Sequence, residues 1–220
     1  MMKRNLITPL IFMPFRLKLF KREYSNAIVN VLDVGCGNHS PSLTKRWYPT
    51  WKYHGLDREE YSTDEYDKKA MAKYYSLDLS NDNLESIPNN YYDIVIMSHI
   101  IEHLHNGLKI VEFLIQKIKS GGKIYIEFPS ERSLSLPSMS GSLNFCDDPT
   151  HVRIYKIADL ANLLLENNFR IIRAGTRRDK VMILTFPFRL LLKFVIGRKI
   201  GGGDFWDVTG FASYVYAKKL

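Results

Sequence analysis

The chain of 220 residues contains only two cysteines, Cys36 and Cys146. Two cysteines provide neither a disulfide framework nor a cluster of thiolate metal ligands, and this scarcity suits a reducing compartment, so we expect a cytoplasmic protein. Hydrophobic residues make up 45% of the chain and charged residues 25%. This composition excludes disordered, collagen-like and coiled-coil proteins and predicts a globular fold.

Long uninterrupted hydrophobic runs are scarce as well. The segment "VMILTFPFRLLLKFVI", residues 181–196, is too short and too charged to cross a bilayer, which requires about 20 apolar residues. The N-terminal "LITPLIFMPFRLKLFK" is interrupted by Pro9 and Pro14, is followed by basic residues and has no small-residue cleavage pattern. We therefore expect the N-terminus to be retained rather than removed as a signal peptide.

Acidic residues are outnumbered, 23 against 31 basic ones, and the excess of positive charge is local. Residues 1–23 carry a net +5 and residues 170–199 a net +8, so the remainder is net negative. Basic segments rich in apolar residues fit an anionic membrane surface, and we expect a possible peripheral membrane contact at both segments. The alternative is a solvated basic face, or for residues 181–196 a helical cover packed on the rest of the fold.

The length fits one domain spanning residues 1–220. Residues 1–24 are predicted to form a basic apolar N-terminal extension, and residues 176–209 an apolar and basic insertion before the last strand. From residue 28 onward, strand-like and helix-like segments alternate, which predicts parallel βαβ units. The predicted strands are residues 27–35, 51–57, 73–80, 91–98, 123–129, 169–175 and 210–219, and the main predicted helices are residues 42–49, 101–122 and 156–168. Residues 130–155 form a loop long enough to be a functional lid.

The segment "VLDVGCGNHSPS", residues 31–42, ends a buried strand in a glycine-rich turn. Gly35 and Gly37 allow a ligand to approach the backbone closely, and the amides that open the next helix add positive potential. Asp57, twenty residues after Gly37 at the end of the second strand, is placed to accept hydrogen bonds from ribose hydroxyls. The glycine spacing alone also opens nicotinamide and flavin sites, but the dinucleotide fingerprint requires Gly or Ala where this chain has Ser40.

The succession "VLDVGCG", "GLD", "LDL", "YYDIVIMSHIIEHL" and "GGKIYIEFP" resembles the class I S-adenosylmethionine-dependent methyltransferases over residues 28–175 and the last strand. The resemblance implies a Rossmann-like three-layer α/β sandwich with a seven-stranded sheet, order 3-2-1-4-5-7-6, and an antiparallel last strand. It implies S-adenosyl-L-methionine as the cofactor, over the carboxyl ends of strands one to four. Carried onto this sequence, the turn Asp33, Gly35, Cys36, Gly37 and Asn38 faces the methionine part, Asp57 holds the ribose, Asp78 and Leu79 meet the adenine, and Ser98 and His99 flank the sulfonium.

The segment "HIIEH", residues 99–103, matches a zinc peptidase pattern, but His99 follows a strand directly and so cannot share a helix face with the second histidine. Glu102, His103 and a distant His151 resemble the ligand set of metal-dependent small-RNA 2′-O-methyltransferases. His99 occupies the position of that family's first glutamate, which removes one hard oxygen ligand. We therefore predict no metal, and keep the RNA enzyme as an alternative.

The segment "CDDPTHVRIY" resembles the part that small bacterial methyltransferases place over the acceptor pocket. His151 is the predicted general base and Asp148 its orienting partner, with His99 as a further catalytic candidate. Alternatively, His151 and Asp148 only fix the lid, because methyl transfer can proceed largely by alignment of the reacting atoms.

The expected reaction is methylation of an oxygen, less readily a nitrogen, on a sugar or lipid-linked glycan intermediate. An RNA acceptor is less expected, because no RNA-binding module is visible. A non-catalytic cofactor-binding scaffold at a membrane surface is a third hypothesis, opposed by the intact Asp33, Gly35, Gly37 and Asp57. The sequence predicts no oligomeric state.

Overall fold

A single seven-stranded sheet organises the chain. The computed structural model describes residues 12–37, 39–59, 65–81 and 84–220. The strands are β1 Asn30–Val34, β2 Lys52–Asp57, β3 Lys73–Ser76, β4 Tyr92–Ser98, β5 Ile118–Pro129, β6 Phe169–Thr176 and β7 Ala212–Lys219. Their spatial order is β3-β2-β1-β4-β5-β7-β6, and only β7 runs antiparallel to its neighbours. The predicted fold class and strand order are confirmed.

Helices cover both faces of this sheet. In chain order they are α1 Phe15–Lys18, α2 Lys21–Tyr24, α3 Ser40–Trp47, α4 Glu65–Ala70, α5 Gly107–Lys117, α6 Ile157–Glu166, α7 Lys180–Leu184, α8 Phe186–Val195 and α9 Trp206–Thr209. The central strands are apolar on both faces, as expected of parallel strands covered on both sides. Val95 of β4 points to the cluster formed with α5 and α6, whereas Ile94 and Ile96 point to the opposite cluster.

The described part of the N-terminal extension packs against the sheet. Leu17 and Phe20, on and just after α1, are fully buried in the second cluster together with Trp51. The Phe20 ring contacts Trp51 edge-on at 5.8 Å between centroids. Residues 12–24 therefore belong to the core, while residues 1–11 lie outside the described residues. The proposed membrane contact of this extension is not supported by its described half.

The boundaries around β5 differ from the sequence prediction. We predicted a helix over residues 101–122, stopped by Gly121 and Gly122, with a strand from residue 123. The structure has a 3-10 turn at Ile101–His103, then α5, and β5 begins at Ile118. The strand is extended because Tyr92 pairs with Ile118 before the register shifts to Ile94 and Lys123. Gly121 takes a left-handed φ of 79° within that irregularity.

Residues 177–211 leave the sheet between β6 and β7. Asp179 caps α7 by accepting a hydrogen bond from the amide of Val181 at 3.0 Å, and Pro187 lies in the first turn of α8. Lys18 of α1 pairs with Asp179 at 2.5 Å, so the insertion contacts the N-terminal extension. None of the described helices is both long and apolar enough to cross a bilayer.

Candidate functional site

The turn after β1 depends on glycine at position 35. Gly35 has a φ of +71°, and its amide donates to the carbonyl of Leu56 at 2.8 Å. A Cβ atom at this position would lie 2.0 Å from Cδ1 of Ile100. Any larger residue would meet both backbone strain and a steric clash, so this turn requires glycine.

Asp57, at the end of β2, fixes the shape of the same turn. Its Oδ2 accepts from the amide of Gly37 at 2.9 Å, and its Oδ1 accepts from the amide of Arg58 at 2.8 Å. Asp78, after β3, accepts at Oδ1 from the amide of Ser80 at 2.8 Å. Both carboxylates sit beyond the carboxyl ends of parallel strands, where ligands of such sheets bind.

A cavity of about 420 Å³, called here the larger cavity, opens at these strand ends. It brings together four residues assigned to the cofactor from the sequence: Gly35, Asp57, Asp78 and Leu79. Its other lining residues are Leu56, Arg58, Leu77, Ser80, Ile100, His103, Leu104 and Thr150. The sequence prediction did not assign Arg58, Ile100 or Leu104 to the cofactor. Arg58 directly follows the assigned Asp57, and Ile100 directly follows the assigned His99.

A second cavity of about 210 Å³, called the smaller cavity, lies on the other side of Gly35. Its lining residues are Arg16, Asp33, Gly35, Cys36, His39, Ser40, Leu43 and Ser98. Asp33 is buried, and its Oδ2 accepts from Ser40 Oγ at 2.7 Å and from Tyr53 Oη at 2.6 Å. Arg16 reaches this cavity from α1 and donates to Ser40 Oγ at 2.7 Å. No local sequence signal marks Arg16, because it lies outside every motif.

The two cavities fit the cofactor that the resemblance implies. They share Gly35, so one elongated molecule could occupy both, with carboxylate acceptors and the apolar Leu56, Leu77 and Leu79 on one side. Burial, then the charges of Asp33 and Asp57, raises the pKa of Cys36 to about 12, so its thiol stays protonated. Asn38, the remaining residue of the predicted turn, lies outside the described residues.

His99, assigned to catalysis and to the cofactor, has both ring nitrogens engaged. Nε2 lies 2.9 Å from Oε1 of Glu127 and Nδ1 lies 3.2 Å from Oε1 of Glu102. Burial alone would lower the pKa of His99, but these two carboxylates more than offset it and raise the pKa to about 9. Both nitrogens therefore donate, and the ring has no lone pair to accept a proton. The assignment of His99 to catalysis stays a prediction.

A buried ion network holds His99 in this state. Burial opposes the charge on Glu127, but Arg177 and His99 outweigh it and lower the pKa of Glu127. Arg177 donates to Oε1 of Glu127 at 2.9 Å and to both oxygens of Asp207, at 3.1 and 2.8 Å. Sequence analysis did not predict this network, whose members come from β4, β5 and the insertion.

His151, the predicted base, is oriented by a backbone carbonyl. Its Nδ1 donates to the carbonyl of Phe145 at 2.7 Å, which leaves the lone pair on Nε2. Oδ2 of Asp148 lies 3.9 Å from Nε2, beyond hydrogen-bond distance. Oδ1 of Asp148 instead accepts from the amide and the hydroxyl of Thr150. The carbonyl of Phe145, rather than Asp148, therefore makes the orienting contact to His151. The roles of His151 and Asp148 in catalysis stay predictions.

Glu102, His103 and His151 form a compact group. One potential ligand atom of each lies within 4.8 Å of those of the other two. Glu102 is buried, whereas His103 borders the larger cavity. The sequence analysis considered these three residues together, and the structure brings them together.

Two known proteins are similar in sequence to part of this chain. A probable S-adenosylmethionine-dependent methyltransferase of Mycolicibacterium smegmatis is 26% identical over 145 residues, 64% of this chain and 52% of that protein. A protein of Methanocaldococcus jannaschii is 32% identical over 113 residues, 50% of this chain and 29% of that protein. The chain thus spans about half or less of the length of these relatives.

The fold is also found in solved structures. A SAM-dependent methyltransferase from Archaeoglobus fulgidus superimposes with a TM-score of 0.63 at 21% identity, over 93% of this chain and 91% of that one. The family model described as a methyltransferase domain matches residues 4–174, which include β1 to β5 and most of β6. The chain therefore belongs to the methyltransferase-domain family.

Proposed function

We propose that this chain is an S-adenosylmethionine-dependent methyltransferase that binds its cofactor in the larger and smaller cavities. The observation that carries the proposal is the pair of cavities that share Gly35 as a lining residue, one lined by Asp57 and the other by Arg16. Family membership and the Mycolicibacterium relative support the same cofactor. When bound, the cofactor supplies a methyl group on a positively charged sulfur, and the S–C bond breaks to leave a neutral thioether.

Each of the two cavities offers hydrogen-bond or apolar partners for one end of the cofactor. The Asp57 carboxylate accepts hydrogen bonds from the ribose hydroxyls, and Leu56, Leu77 and Leu79 provide an apolar surface for the adenine ring. Arg16 is suited to the carboxylate of the methionine part, because its Nε is buried and has no hydrogen-bond partner within the described part of the chain. A buried guanidinium N–H without a partner is costly, and an anion beside it would relieve that cost.

The acceptor is proposed to be a sugar or glycan carried on a lipid, methylated on oxygen. A third cavity of about 250 Å³ shares Leu43 with the smaller cavity. Its other lining residues are Phe12, Met13, Pro14, Phe15, Arg177, Asp179, Met182 and Asp207. Met182 belongs to α7, and the side chains of the next helix, α8, are all at least partly exposed, Phe188 to 68% and Phe194 to 77%. Exposed apolar residues beside the exposed Lys199 suit the surface of an anionic membrane.

The group Glu102, His103 and His151 is the one we expect to assist loss of the proton from the acceptor. The His99 ring is a poor base because both of its nitrogens already donate. His151 keeps a lone pair on Nε2, and His103 borders the larger cavity. The same group supports a second candidate, metal-dependent methylation of RNA, because metal-dependent RNA enzymes use a similar residue set.

The experiment uses methyl-labelled S-adenosylmethionine with a lipid extract and an RNA fraction, offered separately. We expect label in the lipid-linked saccharide, with Asp57→Ala reducing transfer and cofactor affinity at least tenfold. Glu59→Ala is the matched control, because that carboxylate is exposed two residues away. Label in RNA alone would reject the lipid acceptor, and equal cofactor affinity in Asp57→Ala would reject the cofactor site.

A further inference from the structure

The group Glu102, His103 and His151 is built from two separate parts of the chain. Glu102 and His103 lie in the 3-10 turn after β4. His151 lies in the loop of residues 130–155, called here the lid loop. The carbonyl of Glu102 accepts from the amides of Val152 at 2.9 Å and Arg153 at 3.2 Å. These backbone bonds hold the lid loop against the turn. The three side chains therefore meet on a fixed frame rather than by chance approach of mobile side chains.

His103 is held with its Nε2 lone pair free for a ligand. Its Nδ1 lies 2.9 Å from Thr150 Oγ1 and 3.2 Å from the carbonyl of Thr150. The Thr150 hydroxyl has one proton, which it donates to Asp148 at 2.5 Å. Both oxygens of Thr150 must then accept from His103, so Nδ1 carries the ring proton and Nε2 carries the lone pair.

His151 follows the same pattern from the other side of the group. The carbonyl of Phe145 can only accept, so Nδ1 of His151 carries the proton and Nε2 the lone pair. The rings of His103 and His151 lie 4.8 Å apart between centroids. Protein ligands to metals commonly have this arrangement, in which one imidazole nitrogen donates to a carbonyl or polar group and the other binds the ion.

Glu102 supplies a buried oxygen that has no partner. Its side chain is 1% exposed; Oε1 contacts Nδ1 of His99, whereas Oε2 makes no hydrogen bond to any described residue. An unpaired buried carboxylate oxygen is costly because it has lost its water without a replacement. The other oxygen of this carboxylate, Oε1, lies 4.0 Å from Nε2 of His151, so a cation shared by Glu102 and the imidazoles would compensate the buried charge.

We propose that Glu102, His103 and His151 bind one divalent first-row transition-metal ion, with Zn²⁺ as the reference ion. Two imidazoles and one carboxylate suit Zn²⁺ better than Mg²⁺ or Ca²⁺, which prefer oxygen ligands. Tetrahedral ligands at about 2.0–2.1 Å lie roughly 3.3 Å from one another. The present separations of up to 4.8 Å therefore require the side chains to converge modestly on binding.

The ion deepens the proposed methyl transfer, on which this step rests. Three protein ligands leave open coordination positions beside the larger cavity, which His103 borders. Coordination to the ion would lower the pKa of an acceptor hydroxyl, so that the hydroxyl would lose its proton to solvent at a lower pH than an uncoordinated one. Its oxygen then forms the new bond to the methyl carbon while the electron pair of the broken S–C bond stays on sulfur.

Metal binding is tested without cofactor or acceptor, on protein freed of any histidine tag. We expect calorimetric titration with Zn²⁺ to give one site per chain, and His103→Ala and His151→Ala each to weaken it at least tenfold. His105→Ala is the matched control, because this exposed histidine lies two residues from His103 and outside the group. Mg²⁺ should bind far more weakly than Zn²⁺.

Titration with Co²⁺ provides a second readout that needs no variant. An absorption band typical of four- or five-coordinate Co²⁺, lost in the His103→Ala protein, is expected. Absence of a one-to-one Zn²⁺ site in the wild-type protein, or equal Zn²⁺ affinity in His103→Ala, would overturn the proposal. Either result would leave the cofactor proposal standing, because cofactor affinity is measured separately through Asp57→Ala.

Discussion

Gly35 lines both cavities and has a left-handed φ of +71°. Gly35→Ala would place a methyl group against Ile100 in a left-handed conformation that costs about 1–2 kcal/mol for an L-residue. We expect a lower free energy of unfolding in urea and at least tenfold weaker binding of S-adenosylhomocysteine by calorimetry. Gly203→Ala is the control, since nothing lies within 4 Å of its added Cβ. Wild-type values for both quantities in Gly35→Ala would show that the turn relaxes.

Asp147 organises the lid loop with a single carboxylate. Its Oδ2 accepts from the amides of Met139 at 3.0 Å, Leu143 at 2.8 Å and Asn144 at 2.8 Å. The hydroxyl of Ser138 and these amides hold the pKa of Asp147 well below its usual range. A carboxyl with a lowered folded-state pKa contributes stability above its unfolded pKa of about 3.9 and loses it as pH falls.

We therefore expect the lid loop to loosen below about pH 4. Hydrogen exchange, corrected for the intrinsic rate at each pH, should show residues 139–144 losing protection while the amides of β4 stay protected. Asp147→Asn should reproduce that loss at neutral pH, whereas Glu131→Gln, at an exposed carboxyl in the same loop, should not. Unchanged exchange in Asp147→Asn would mean that other contacts hold the loop.

Individual site residues could be predicted where a motif marks them. Asp57, Asp78 and Gly35 follow strands at recognisable positions, and the structure places all three around the larger cavity. Arg16 lies outside every motif, because it reaches Ser40 across 24 residues of sequence. The protonation of His99 could not be predicted from the sequence either, because it depends on the carboxylate of Glu127 on the neighbouring strand β5.

At the scale of elements, Arg177 ties the insertion to β5. It lies between the carboxylates of Glu127 and Asp207, which are both nearly fully buried. Arg177→Met would leave the buried Asp207 without its cationic partner and Glu127 with only His99, and breaking a buried pair in this way costs about 3–5 kcal/mol in similar cases. Urea denaturation should show this decrease, and Arg173→Met, at an exposed position on β6, should change stability by less than about 0.5 kcal/mol. Equal stabilities would show that water reaches and solvates the carboxylates.

Element boundaries were predictable only where local chemistry decides them. The mostly apolar run predicted as residues 91–98 matches β4 closely, because a central strand buried on both faces is apolar along most of its length. Gly121 and Gly122 were interpreted as a helix stop, yet they lie inside β5. Pairing of Tyr92 with Ile118 overrides the local helix preference there, and such pairing between distant residues leaves no signal in a single sequence.

At the scale of the molecule, the positive charge of residues 170–199 coincides with the exposed apolar face of α8. We expect the protein to cosediment with anionic vesicles, and the bound fraction to fall in 1 M salt, where the Debye length is about 3 Å. Phe188→Asp with Phe194→Asp should reduce binding at least fivefold. Leu165→Asp, at an exposed position on α6, is the control. Equal binding by all forms would exclude α8 as the contact.

The overall sheet could be predicted because a motif succession spread over most of the chain carries the family resemblance, and that resemblance implies the strand order. The position of the N-terminal extension was not predictable in the same way. Its basic and apolar composition favoured a membrane surface, a prediction that nothing tests, whereas no pattern indicated that Leu17 and Phe20 fill the second core cluster. Composition describes which surfaces a segment can cover, whereas the surface that it does cover depends on the rest of the fold.

The insertion leaves and re-enters the sheet at adjacent points. Thr176 pairs with Ser213, and the amide of Arg177 donates to the carbonyl of Ala212 at 2.8 Å, so residues 177–211 begin and end one strand spacing apart. A segment closed in this way can change length and sequence between its buried anchors, Arg177 and Asp207, while the strands that frame it keep their register. Residues 180–200 can therefore diverge between related chains without disturbing the sheet.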